Sequence, residues 1–178
     1  RRDRAVLWHG PGGGEDAMGD HATPPIGAKA PAFTLLGTGG KRVALKDFLG
    51  KKNLVLYFYP KDNTPGCTME ACGFRDAFGH FEASDTVILG VSRDALESHQ
   101  KFSSKLRIPF LLLSDPEAEV AKAYGAFGKK SFMGREFLGV HRTTFVIDKQ
   151  GMIRRVFPKV KVKGHTAEVL DFVRDELS

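Results

Sequence analysis

Apolar residues along the chain follow two spacings, and these divide it into strands and helices. Short β-branched or aromatic runs bounded by turn residues read as strands, and apolar positions recurring every three or four residues read as helices. Residues 33–36 and 41–45, joined across Gly37-Thr38-Gly39-Gly40, predict a hairpin. A helical turn over 46–50 follows. Leu54-Val55-Leu56-Tyr57-Phe58-Tyr59 predicts a buried strand over 53–59, stopped by Pro60. From Cys67 to about Glu82 the residues suit a helix, with Phe74, Ala77, Phe78 and Phe81 at helical spacing. Residues 86–92 predict a second buried strand. Residues 94–106 predict a helix on Leu96, Phe102 and Leu106, and 109–113 a third strand segment. A helix over 117–124 ends at Gly125. The stretch 128–140, rich in glycine and aromatics, predicts a loop. Residues 142–148 and 152–157 predict a hairpin across Lys149-Gln150-Gly151. The last helix, 165–177, carries Val169, Phe172, Val173 and Leu177 on one face. The order ββαβαβαββα predicts an α/β fold with a mixed sheet and helices on both its faces.

Composition narrows this picture. A chain of 178 residues is large enough for one domain with a real core. That domain is expected over 26–178. Residues 1–25 stand apart, because Pro11-Gly12-Gly13-Gly14, scattered charge and no apolar period predict a flexible tail. Met18 is a candidate native start, which would make the residues before it foreign to the protein. Asp3, Glu15, Asp16 and Asp20 in an Arg-led stretch without serine argue against a transit peptide, and no apolar segment there suggests a signal peptide. No run of about 18 apolar residues occurs, so no membrane span is expected. Two cysteines do not make a secreted disulfide framework, and a cytoplasmic or organelle-matrix setting fits.

The net charge of +6 changes little. The densest basic stretch, 149–163, alternates Arg154, Arg155, Lys159 and Lys161 with Val156, Phe157, Val160 and Val162. It reads as the solvated edge of a sheet. A nucleic-acid surface would bring an aromatic platform or a recognised motif, and none accompanies it.

The candidate chemistry lies in Cys67 and Cys72. Pro60 to Gly66 is turn chemistry, so Cys67 falls in the first turn of a helix that follows a buried strand. The N–H groups of that turn lack internal partners, and the positive end of the helix dipole lies there. Both favour a thiolate, which makes Cys67 a candidate nucleophile; the alternative is a small buried apolar residue. Cys72 follows five residues later. On an intact helix that is about 500° of rotation and about 7.5 Å of rise, which puts the Cα atoms roughly 8.7 Å apart. A disulfide needs them within about 7 Å, so the pair cannot bridge unless the first turns unwind. The spacing suits a switch. It does not suit zinc, nor is it the Cys-x-x-Cys of a dithiol reductase.

Pro60-x-x-x-Thr64-x-x-Cys67 resembles the active-site signature of the peroxiredoxins. The longer string, Tyr57-Phe58-Tyr59-Pro60-Lys61 with Thr64-Pro65-Gly66-Cys67-Thr68 and Ala71-Cys72, is similar to the bacterioferritin comigratory protein, or peroxiredoxin Q, branch. The likeness continues in Phe33-Thr34-Leu35, Leu113-Ser114-Asp115, Ser131-Phe132-Met133-Gly134 and Gly139-Val140-His141-Arg142, and covers about residue 26 to the end.

The resemblance implies a thioredoxin-like fold with an added N-terminal hairpin. It implies a peroxidase that reduces hydrogen peroxide and organic hydroperoxides without a cofactor or metal. Cys67 would be the peroxidatic cysteine and Cys72 the resolving one. Thr64 would bind beside the sulfur, although a threonine there can instead cap the helix. Pro60 would shield the sulfur. Arg142 would supply the cation, where residues alone suggest a surface arginine at a strand start. The stretch 131–134 is a candidate apolar wall of the pocket, with ordinary packing as the alternative. Thioredoxin or a similar dithiol protein would be the reductant, and the expected assembly is a monomer or weak dimer with no nucleic-acid or membrane partner. Two other readings compete: a general disulfide reductase, and a basic binding protein with inert cysteines.

Overall fold

A computed structural model describes residues 22–177 of the chain. Most of the expected tail, Met18 included, lies outside these residues. Among the described residues the chain forms nine strands: β1 (Thr34–Gly37), β2 (Arg42–Ala44), β3 (Asn53–Phe58), β4 (Thr86–Ser92), β5 (Leu111–Ser114), β6 (Phe127–Phe132), β7 (Arg135–Val140), β8 (Thr143–Ile147) and β9 (Ile153–Phe157). The α-helices are α1 (Pro65–Asp76), α2 (Phe78–Ala83), α3 (Leu96–Leu106), α4 (Glu119–Ala123) and α5 (His165–Glu176).

Seven strands form one sheet in the order β2-β1-β5-β4-β3-β8-β9. The pairs β3–β4 and β4–β5 are parallel, and their crossovers carry helices; the other neighbours are antiparallel. All six residues of β3 are buried, as a strand covered on both faces must be. Its side chains alternate between two cores. Leu54, Leu56 and Phe58 join Leu89, Val91, Phe145 and Tyr124 on one face. Val55, Tyr57 and Tyr59 join Phe74, Phe81, Phe102, Val169 and Val173 on the other. The strand therefore fixes the helices above and below it at once. Residues 27–30 run beside the entrance to β9: Gly27 N–H donates to the Ile153 carbonyl at 2.7 Å, and Ile153 N–H donates back to the Ala28 carbonyl at 2.9 Å.

The basic stretch behaves as an edge. β9 is the last strand of the sheet, and Arg155 lies over the Phe157 ring at 4.2 Å.

Two expectations need correction. The predicted loop 128–140 is a hairpin, β6 and β7, paired from Phe127 with Val140 to Phe132 with Arg135. Met133 and Gly134 turn it with φ of 54° and 81°, the two positive values that a type I′ turn requires. A methionine in that conformation is uncommon, and so the turn is hard to see in the sequence. The single helix expected from Cys67 to Glu82 is broken at Ala77, where φ is −101° and ψ is 6°. The apolar spacing runs straight through the break, since Phe74 on one side and Phe81 on the other enter the same core with ring centroids 5.9 Å apart.

Phe145 is fully buried against Phe58 and Tyr124, at centroid distances of 6.0 and 5.0 Å. Phe145→Ala is expected to lower unfolding free energy by about 3–5 kcal/mol in a urea titration. A loss below about 1 kcal/mol would contradict this account of the core.

Candidate active site

The sheet register brings the candidate residues together. Phe58 at the end of β3 pairs with Thr143 at the start of β8. The chain leaves β3 through Pro60 toward Cys67, and Arg142 stands immediately before Thr143. Two segments far apart in sequence thus meet beyond one end of the same strand pair.

Thr64 holds the N-cap position of α1, with Pro65 at the first helical position and Cys67 at the third. Its hydroxyl makes no cap bond to the helix and donates instead to the Lys61 carbonyl at 2.9 Å. The first-turn N–H groups are therefore not taken up by that side chain. Cys67 is 1% exposed, and Cys72 is half-buried; both are free thiols. Pro60 is half-buried where the chain leaves the strand.

Arg142 turns inward rather than lying on the surface, with its side chain 17% exposed. Its Nη2 donates to the Cys67 sulfur at 3.3 Å, and its Nη1 donates to Glu70 Oε1 at 2.6 Å. Gly66 makes room for this approach, because a Cβ there would sit 3.1 Å from Nη2. Glu70 is one helical turn beyond Cys67, on the same face of α1, and 1% exposed. Burial pushes its carboxyl up to about 7, against the opposing pull of the Arg142 charge. Its second oxygen, Oε2, and the nearby Tyr57 hydroxyl have no hydrogen-bond partner among the described residues. Lys130 on β6 completes the basic side. Its Nζ donates to the Val140 carbonyl at 2.9 Å, and burial, then the Arg142 charge, hold its ammonium below the usual lysine range.

The stretch 131–134 does not pack as ordinary core. Phe132 and Met133 are 67% and 84% exposed at the hairpin tip.

The family described as AhpC/TSA matches residues 26–156. Peroxiredoxin Bcp of Bacillus subtilis (strain 168) is 50% identical over 153 residues, 86% of this chain and 97% of its own. Peroxiredoxin Bcp of Escherichia coli (strain K12) is 42% identical over 146 residues, 82% of this chain and 93% of its own. The chain belongs to the AhpC/TSA family. Within it the likeness is to the Bcp, or peroxiredoxin Q, branch. A mutant of PrxQ from Xylella fastidiosa superposes with a TM-score of 0.83 at 34% identity, over 88% of this chain and 99% of that one. A trapped intermediate/ligand complex of the Xanthomonas campestris bacterioferritin comigratory protein, studied for alkyl peroxide reduction, gives 0.78 at 36% identity, over 82% and 92%.

As a peroxiredoxin the chain is an enzyme with a thioredoxin-like fold. Sequence reasoning named the cysteine, threonine, proline and arginine positions but neither Glu70 nor Lys130, which the structure sets beside Arg142. The signal for Glu70 was present in its three-residue spacing from Cys67. Lys130 left no such signal, because the hairpin that carries it read as a loop.

Glu70 gives this peroxiredoxin a pH-dependent stability term. Between the ordinary carboxyl value near 4.5 and about 7, the folded chain keeps a proton that the unfolded chain has lost. Its contribution is complete below the first value and is lost as pH rises through the second. The loss amounts to about 3 kcal/mol. Urea titrations of Glu70→Gln at pH 4, 5, 6 and 7.5 are expected to lack that portion of the slope. A slope equal to that of the unaltered chain would contradict the assignment.

Proposed function

We propose that the chain is a thiol-dependent peroxidase in which Cys67 is oxidised by hydrogen peroxide or a small organic hydroperoxide, and Cys72 resolves the product. The contact of Arg142 with the Cys67 sulfur carries this reading. A guanidinium stays charged at all relevant pH values and offers several donors in a fixed plane. One donor faces the sulfur, where it orients the nucleophile. The same group can bind the oxygen on which negative charge develops.

The proposed first step balances simply. The thiolate attacks the terminal peroxide oxygen, a sulfur–oxygen bond forms and the oxygen–oxygen bond breaks. Cys67 becomes a sulfenic acid, and the leaving hydroxide or alkoxide takes up a proton to give water or an alcohol. The first-turn N–H groups that Thr64 leaves uncapped, with the Thr64 hydroxyl as an acceptor, would hold the peroxide. Pro60 would shield the sulfur from water.

In the second step the Cys72 thiolate attacks the sulfenic sulfur, the Cys67–Cys72 disulfide forms as the sulfur–oxygen bond breaks, and the leaving hydroxide takes up the proton that Cys72 gave up and departs as water. Both residues belong to the continuous helix α1. That helix must open locally for the sulfurs to meet, since the helical spacing holds them apart. Thioredoxin or a similar dithiol protein would then reduce the disulfide, in the cytosol or an organelle matrix. Among the described residues no helix is long and apolar enough to cross a membrane.

One equivalent of hydrogen peroxide should remove two hydrogens from the intact mass and leave a Cys67–Cys72 link in peptide maps. Cys67→Ser should abolish peroxide consumption. Cys72→Ser should keep one turnover and lose thioredoxin-driven cycling. Sustained cycling by Cys67→Ser would overturn the proposal.

A further inference from the structure

The loop between β3 and α1 is tied to the protein by a buried polar cluster that the proposed chemistry does not use. Asp62 is 4% exposed and His99, on α3, is fully buried. Tyr59 donates its hydroxyl to Asp62 Oδ1 at 2.7 Å, and Ser98 donates to Oδ2 at 2.8 Å. His99 Nδ1 meets the same Oδ2 at 2.8 Å. His99 Nε2 lies 2.8 Å from the Leu113 carbonyl on β5, which can only accept, so that nitrogen carries hydrogen. Both ring nitrogens of His99 are thus engaged, Nδ1 with Asp62 and Nε2 with β5. Burial alone would push the Asp62 carboxyl up, but the bonds from His99, Tyr59 and Ser98 outweigh it and hold it below its ordinary value.

The backbone is fixed too. Asp62 N–H donates to Asp94 Oδ2 at 2.9 Å, and Ser92 donates to the same oxygen. Ligand atoms of Asp62, Asp94 and His99 lie within 4.8 Å of one another. The Asp62–His99 contact is nevertheless a hydrogen bond through a ring proton and not half of a metal site.

A second anchor lies beyond Cys72. A Cβ on Gly73 would sit 2.5 Å from Thr166 Oγ1, so α1 touches α5 there backbone to side chain. Phe74 follows, fully buried and stacked on Tyr57 at 4.9 Å. Between the anchors lie residues 63–72, which contain Thr64 and both cysteines. From Asp62 to Cys67 the chain can extend about 17 Å. That is ample to turn Cys67 toward Cys72 with Asp62 held still.

We propose that Asp62, clamped by His99, is a positioning residue for the reaction at Cys67. It fixes the backbone ahead of α1 so that Cys67 meets Arg142 in the reduced enzyme. It is also the fixed pivot when α1 opens, and this second part rests on the resolving role proposed for Cys72. Opening is confined to the segment between Asp62 and Gly73.

Hydrogen exchange on the unaltered chain tests the pivot. In the disulfide form the amides of residues 68–72 should lose protection by at least about tenfold, while the amides of Asp62 and Ala77 keep theirs. Loss at Asp62 equal to that at 68–72 overturns the pivot. If peroxide produces no Cys67–Cys72 link in peptide maps, the resolving role fails and the pivot with it. Stopped-flow oxidation tests the positioning part without resolution, in a Cys72→Ser background. Asp62→Ala should slow Cys67 oxidation by about 10- to 100-fold while the chain remains folded, a loss that misplacement can cause. Asp62→Asn fills the same space and can donate its amide N–H to His99 Nδ1 while Nε2 still donates to the Leu113 carbonyl, so it should recover most of the rate. A folded Asp62→Ala chain that oxidises within twofold of its parent overturns the positioning role. If that variant does not fold, Ser98→Ala, which removes one bond to Asp62, replaces it and should slow oxidation measurably; an unchanged rate there overturns the positioning role as well.

Discussion

The site depends on one buried guanidinium shared between a sulfur and a carboxyl group. Arg142 reaches Cys67 and Glu70 with two different nitrogens. Those two residues are three apart on α1, so the helix presents both to a single planar fork. The arrangement couples the helix start to the start of β8, beyond one end of the β3–β8 pair. It also puts a carboxyl in a dry place, where only one of its oxygens is answered. Breaking such a pair from either side leaves a buried group without its partner, which costs far more than the intact pair stabilises. The proposed nucleophile is therefore held by a contact that the fold cannot easily give up.

That contact stands in tension with the proposed resolving step. Cys67 must leave Arg142 and the core to reach Cys72. The structure concentrates its firm attachments at the two ends of the segment concerned. Asp62 is bonded on every side ahead of it, and Gly73 and Phe74 are packed behind it. The span between includes residues with few buried contacts, among them Thr64, Pro65, Thr68 and the exposed Met69. A short helical segment of this kind can open at a small fraction of the global unfolding free energy.

Much of this was legible in the sequence, and the reasons are local. β3 announced itself through the apolar run Leu54–Tyr59, and β4 was legible over its whole length. Cys67 could be placed at a helix start because Pro60 and the Thr64-Pro65-Gly66 turn chemistry fix that boundary. What escaped was of two kinds. Met133 adopts a backbone conformation that its side chain disfavours, so the β6–β7 turn gave no sign. Contacts between residues far apart in sequence, such as Asp62 with His99, have no periodicity to betray them. Arg142 was found through family likeness alone, because its 75-residue separation from Cys67 closes only in the folded sheet.

The most direct test of the central contact is the rate at which hydrogen peroxide oxidises Cys67 in a Cys72→Ser background, with Arg142 intact and with Arg142→Met. Removing a single preorganised donor of this kind typically costs about 10²–10³ in rate. The account predicts a loss of about 100-fold or more at pH 7 in a chain that remains folded. A folded Arg142→Met variant that reacts within about threefold of its parent would contradict it.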